Sequence, residues 1–141
     1  MRLVVIEDGD EYATFVRALV PDVTCVVAKS AAEALRTAVR GDAFLVDLRF
    51  DRVDVGSLVG DVAQLAGELF GGDEVRAMRH LVDEQGIYVL KALRAAGHDG
   101  RAIFVHDFSA RRLGHLRVRY GDVVAMATFD AAELRRLLGA R

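Results

Sequence analysis

The sequence predicts an α/β domain in which five short parallel strands are buried between helices on both faces. Short apolar runs alternate with longer segments of period near 3.6. The apolar runs lack the every-second-residue alternation of a sheet wetted on one side, and several helical segments end at a glycine. A chain of 141 residues needs only one hydrophobic core, so a single domain over 1–141 is expected.

The strand-like runs are 3–6, 23–28, 43–46, 102–105 and 123–126. Helices are predicted over 10–19, 30–40, 86–96, 109–118 and 130–138. Ser30 with Glu33, and Asp130 with Glu133, have capping-box spacing. Gly41, Gly71, Gly97, Gly121 and Gly139 follow helical patterns where a left-handed cap residue is wanted. Between the third strand and the helix near Gly86 lies an insert, 49–85, far longer than the usual ~2–6 residues of a βα connection. Leu58, Val62, Leu65 and Leu69 share one helical face, with Ser57 as cap, and Val75, Met78 and Val82 repeat the pattern. Two inserted helices are predicted, the second running toward the 86–96 helix through a weak point at Gly86. The first stripe is expected to pack on the domain or on a second copy, since four exposed apolar residues would form an interface-like patch.

Composition narrows the function classes. With 52% hydrophobic and 28% charged residues and a net charge of −2, the chain is neither disordered nor a polybasic nucleic-acid module. Its apolar runs are a few residues long, against the ~20 needed to cross a bilayer. Met1-Arg2 leads straight into an apolar strand with no cleavage-site pattern after it, so no secretory signal is expected. Cys25 is alone and can form no intrachain disulfide. The cytoplasm is the expected compartment. Lys29 and Lys91 are the only lysines, so any chemistry that needs an amine has two candidates.

In open parallel sheets functional groups collect at the carboxyl ends of the strands. Glu7-Asp8 directly follow the first strand and Asp47 follows the third. Three carboxylates in one pocket raise each other's pKa unless a cation neutralises them, and Mg²⁺ is the natural partner for oxygen ligands. His106-Asp107 closes the fourth strand. Its imidazole suits a transition-metal ligand or a base near neutral pH, or a plain hydrogen bond at a strand end. His80, His98 and His115 have no ligand spacing. There is no nucleophile elbow and no P-loop. Arg49 stands where a phosphatase with paired aspartates would need an acid.

The runs Leu3-Val4-Val5-Ile6-Glu7-Asp8 and Phe44-Leu45-Val46-Asp47-Leu48 resemble the receiver domains of bacterial response regulators. Gly86 to Arg94 is similar to that family's third helix, Ala102-Ile103-Phe104-Val105 to its fourth strand, and Phe129-Asp130-Ala131-Ala132-Glu133-Leu134 to the entry of its last helix. Everything except the insert can be placed this way. The resemblance implies a flavodoxin-like (CheY-like) doubly wound five-stranded sheet of order 2-1-3-4-5, with a helical insert between strand 3 and helix 3. It implies that Asp47 accepts a phosphoryl group from a histidine kinase or phosphotransfer protein. It also implies Mg²⁺ held by Asp8, Asp47, the backbone carbonyl of Arg49 and, through water, Glu7. Such a protein is not an enzyme beyond that acceptance, and it signals through contacts with an output protein.

The chain departs from the family at the three positions of its switch and at one further position. The family's switch uses a hydroxyl at the end of strand four, a lysine at the end of strand five and an aromatic residue on strand five. Here His106, Ala127 and Val124 take those positions. Ser109 is the one hydroxyl that a bulged strand could bring near. Thr128 replaces a proline that is usually cis, and a trans bond is expected there. These losses support an alternative, a pseudo-receiver that binds partners regardless of phosphorylation.

Charge is uneven. Residues 49–85 hold eight acids and four arginines, whereas 101–119 hold five arginines and one acid, Asp107. The basic segment suits an acidic partner or the insert of another copy, so a homo-oligomer is one expected assembly. Direct DNA binding is not expected, because the chain is acidic overall and has no room for a helix-turn-helix beyond the five-strand fold.

Overall fold

The computed structural model describes residues 1–139, so the last two residues of the expected 1–141 domain lie outside the described residues. Strands β1 (Arg2–Ile6), β2 (Thr24–Ala28), β3 (Ala43–Val46), β4 (Ala102–Val105) and β5 (Val123–Met126) form one parallel sheet of order β2-β1-β3-β4-β5. The helices are α1 (Glu11–Leu19), α2 (Ala31–Thr37), α3 (Val62–Leu69), α4 (Glu74–Asp83), α5 (Gln85–Ala95), α6 (Ala110–Tyr120) and α7 (Ala131–Gly139). This is the doubly wound CheY-like order that the resemblance to receiver domains implies.

Continuous apolar runs become inner strands because both faces of the sheet are covered. Leu3 and Val5 face α1 and α7, packing with Ala13, Val16, Leu134 and Leu138. Val4 and Ile6 face the opposite way, toward Ala31 and Ala34 of α2 and Val89 and Leu93 of α5. Each such side chain contributes roughly 1.5–3 kcal/mol when fully buried. The outer strands β2 and β5 are only partly covered.

Both predicted caps form, but each capping box is only half made. Ser30 accepts the Glu33 N–H at 3.2 Å, while the Glu33 carboxylate accepts the N–H of Lys29 rather than that of the cap itself. Asp130 accepts the Glu133 N–H at 3.1 Å, while Glu133 turns to Arg136. Gly97 closes α5 at φ 91°, and the N–H of His98 reaches the Leu93 carbonyl while its own reaches Arg94. That paired return needs a left-handed residue. Helix α2 stops at Thr37, short of the predicted residue 40, because Ala38 is extended.

The insert is helical, with three corrections. Ser57 ends a short 3₁₀ turn, Val55–Ser57, and the cap of α3 is Asp61, which accepts the Gln64 N–H at 3.0 Å. Leu58 therefore precedes the helix and packs on the core, while Leu69 is 60% exposed. In α4 the buried face is Ala77 and Leu81, and Val75 is 71% exposed, because contact with α3 selects the row beside the predicted one. The break between α4 and α5 falls at Glu84, not at Gly86.

Gly86 serves a different purpose. Its N–H donates to the Leu48 carbonyl at 2.9 Å, and a Cβ there would run into the carbonyl oxygen of Asp47. Beside it the buried Gln85 side chain accepts the Val59 N–H at 2.7 Å and donates to the carbonyls of Val59 and Leu81. The insert is thereby pinned to the segment that follows β3. Gly86→Ala is expected to destabilise the fold by about 1–3 kcal/mol through this clash with backbone. Gly114→Ala, in α6 with open space around the added methyl, should instead stabilise by about 0.5–1 kcal/mol. Chemical denaturation of the two variants checks the contrast.

Candidate functional site

The register of the two central strands builds the site. Ile6 lies opposite Val46, and the Asp47 N–H donates to the Ile6 carbonyl at 2.9 Å, so Glu7 and Asp47 leave the sheet side by side. Each acid then meets a different environment. Glu7 is 1% exposed, and its carboxylate accepts the N–H groups of Tyr12 at 3.2 Å and Ala13 at 2.8 Å. It thus satisfies the first turn of α1, where the helix dipole favours a negative charge. Asp8 is half-buried and accepts the backbone N–H of Arg52 at 2.6 Å, while the Arg52 guanidinium pairs with Glu11 at 2.7 Å. From the other side the Lys29 ammonium donates to the carbonyl of Gly9. Arg52 from the insert and Lys29 from the end of β2 so hold the β1–α1 loop.

Asp47 pairs with no cationic side chain among the described residues. Burial, and then the charges of Asp8 and Glu7, push its carboxyl up to about 6, against a smaller opposing effect of the Leu48 N–H. Burial, and then Asp47 and Glu7, push the Tyr12 phenol up to about 12. The Tyr12 ring stacks on Phe129 with centroids 6.2 Å apart.

The positions that depart from the receiver pattern are placed as follows. His106 is half-buried at the end of β4, its N–H donates to the Met126 carbonyl at 2.9 Å, and its ring meets the Phe108 ring at 4.6 Å. The Arg112 guanidinium lies over Phe108, 5.2 Å from the ring centroid. Ser109 accepts the Arg112 N–H at 3.1 Å as the cap of α6, so its hydroxyl is committed to that helix. Ala127 and Thr128 are exposed, Val124 is half-buried on β5, and no peptide bond among the described residues is cis.

The acids are not arranged as a finished metal cage. Among the described residues no group of three or more His, Cys, Asp or Glu side chains could hold an ion as it stands. Both oxygens of Glu7 are taken by α1, and one oxygen of Asp8 by Arg52. The Arg49 side chain turns outward to Asp51 and Asp83. Two acids, Asp8 and Asp47, are left with oxygen to offer. Their chemistry suits a hard cation that keeps several waters, and the raised pKa of Asp47 marks negative charge without compensation.

Sequence reasoning missed Tyr12, Lys29 and Arg52. Lys29 had a readable signal, because a parallel register that sets Ala28 against Ile6 places residue 29 beside Glu7. Tyr12 lies five residues beyond Glu7, in the first turn of α1. Arg52 had no signal, since its place depends on how the insert folds back.

No protein-family model matches the sequence, and no curated protein matches it. Solved structures do resemble it in fold. A two-component response regulator from Clostridium difficile is similar at a TM-score of 0.64 and 8% identity, over 99% of this chain and 93% of that one. The response regulator TrrA from Thermotoga maritima, in complex with Mg²⁺-BeF, gives 0.61 and 14%, over 99% and 96%. The receiver domain of a sensor histidine kinase from Pseudomonas aeruginosa, with magnesium in its active-site cleft, gives 0.58 and 17%, over 99% and 94%. The chain has the fold of these receiver domains.

The raised pKa of Asp47 carries a pH dependence. A carboxyl that titrates near 6 when folded and near 3.8 otherwise takes up a proton on folding between those values, so stability falls as pH rises through that window. Asp47→Asn removes the effect. The variant is expected to melt about 3–6 °C above wild type at pH 7.5 and to converge with it near pH 4. Thermal melts across that range check it.

Proposed function

We propose that residues 1–141 form one receiver of two-component signalling, in which Asp47 accepts a phosphoryl group from a histidine kinase or phosphotransfer protein in the cytoplasm. The observation that carries this reading is the division of labour among the acids. Glu7 is consumed as a helix cap and Asp8 is held by Arg52, whereas Asp47 stands half-buried without a cation. An Asp47 carboxylate oxygen would attack the phosphorus of the donor's phosphohistidine, forming an O–P bond as the P–N bond breaks and the donor's imidazole leaves. Asp8, Asp47 and the Arg49 carbonyl would hold Mg²⁺, with Glu7 acting through water. The bound ion would neutralise the acids and the incoming phosphoryl oxygens. Asp8 would offer its free oxygen while the other keeps the Arg52 N–H, which ties the segment after β3 to the site. The domain regulates an output protein through contacts and catalyses no further reaction.

A second reading, a pseudo-receiver that acts without phosphorylation, is favoured by one set of positions. Ala127 offers no ammonium, and Ser109 is committed to the cap of α6. Moving an equilibrium from 1:99 to 99:1 needs about 5.5 kcal/mol of differential binding, and one charge-assisted hydrogen bond supplies about 1.5–3 kcal/mol. A phosphoryl group on Asp47 with only His106 beside it would therefore couple weakly to α6 and β5.

Mg²⁺ and then beryllofluoride, followed by NMR, test both readings. A saturable Mg²⁺ response that is lost in Asp8→Asn, then beryllofluoride shifts concentrated around Glu7, Asp47 and His106, is the expected result. Equal, weak Mg²⁺ responses in both proteins would overturn the phosphoacceptor reading and leave the pseudo-receiver. Large beryllofluoride shifts across 111–119 and 123–126, abolished in Asp47→Asn, would overturn weak coupling.

A further inference from the structure

The insert leaves a cleft of about 710 Å³ between α3, α5 and α6, apart from the acid pocket. Each helix presents one face to it at three- and four-residue spacing, as Gln64, Leu65 and Glu68 do from α3 and as Tyr88, Lys91 and Ala92 do from α5. Leu65, Leu81, Ile87 and Leu116 give it an apolar floor, of which Leu81 and Leu116 are buried. That volume lies in the range of about 300–1,000 Å³ typical of small-molecule sites, which combine apolar walls with a few polar groups.

The formal charges around the cleft cancel, Asp61, Glu68 and Glu84 against Lys91, Arg112 and Arg119, but they are segregated by wall. Asp61 and Glu68 lie with α3 and accept neutral amide donors, the Gln64 N–H and the Gln64 side-chain amide, each at 3.0 Å, while Glu84 is ion-paired with Arg112 at 2.6 Å. Lys91, His115 and Arg119 line the α5 and α6 walls, and none of them has a carboxylate partner among the described residues. The Arg119 guanidinium lies over the Tyr120 ring at 5.9 Å, turned toward an aromatic face rather than an acid. The cleft thus joins an apolar floor to two cations outside any ion pair of the described residues, Lys91 on the α5 wall and Arg119 on the α6 wall, with the unpaired acids on the α3 side.

We propose that this cleft binds an amphipathic organic anion, an apolar and preferably aromatic body carrying one carboxylate, sulfonate or phosphate. The body lies on Leu65, Ile87 and Leu116 beside the Tyr88 ring, and the head faces Lys91 and Arg119. The site depends on the insert, since α3 supplies one of its walls, and it does not depend on phosphorylation of Asp47.

The aromatic sulfonate 8-anilinonaphthalene-1-sulfonate is a direct probe, read by fluorescence titration and by NMR on the full chain, with the uncharged N-phenyl-1-naphthylamine as its partner. One saturable site is expected, with amide shifts centred on Leu65, Ile87, Tyr88 and Leu116. Lys91→Gln and Arg119→Gln should each weaken the sulfonate by about two- to fivefold, as for other exposed charge pairs. Both substitutions should leave the uncharged probe unchanged, and Arg136→Gln on α7 should alter neither. The substituted side chains are exposed, so spectra of the free variants should match wild type outside the cleft. Shifts centred elsewhere, or no saturable binding, would overturn the site. Equal affinity for the two probes, insensitive to Lys91→Gln and Arg119→Gln, would overturn the anion preference and with it the proposal.

Discussion

Three carboxylates leave the sheet at the carboxyl ends of its two central parallel strands, where burial strips them of water, and the rest of the site is arranged around that repulsion. The sheet order forces the meeting, because β1 and β3 are neighbours and Ile6 lies opposite Val46. The fold answers the three charges differently. Glu7 is absorbed by the N–H groups at the start of α1, and Asp8 by a backbone N–H of the insert. Asp47 is left with burial and two negative neighbours. A carboxylate held in that state is stabilised by any positive charge brought beside it.

The insert is tied to this pocket rather than appended to the fold. Phe50 donates its N–H to the Val82 carbonyl, Gln85 clasps Val59, and Gly86 lies against the backbone of Asp47 and Leu48. Arg52 then reaches back to Asp8 and Glu11. The same helices that support the end of β3 also wall the cleft beside α6, and Arg112 connects the two regions by pairing with Glu84 while lying over Phe108. His106 meets that ring from the other side.

The sheet was legible because buried parallel strands announce themselves as unbroken apolar runs, and five of them with helical segments between leave few topologies. The candidate acids were legible for the same reason, since a strand end fixes the position of the residue that follows it. Their separate roles were not. Whether a carboxylate caps a helix, accepts a loop N–H or stands alone depends on backbone donors that carry no mark in the sequence. The buried face of α4 escaped for a related reason, because Ala77 is too small to register as apolar patterning beside Val75 and Met78, yet it is fully buried. Gly86 looked like a place where a helix breaks, and its actual demand, close contact with the Asp47 carbonyl, is a tertiary one.

The central claim is that Asp47 is the one acid of the three left without compensation, and the carboxyl carbon of Asp47, followed by NMR as a function of pH in the metal-free protein, reports on it directly. The account predicts a midpoint near 6, falling toward the ordinary carboxylate range when the neighbouring charge is removed in Asp8→Asn. A midpoint near 3.8 in the unmodified protein, unmoved by Asp8→Asn, would contradict it.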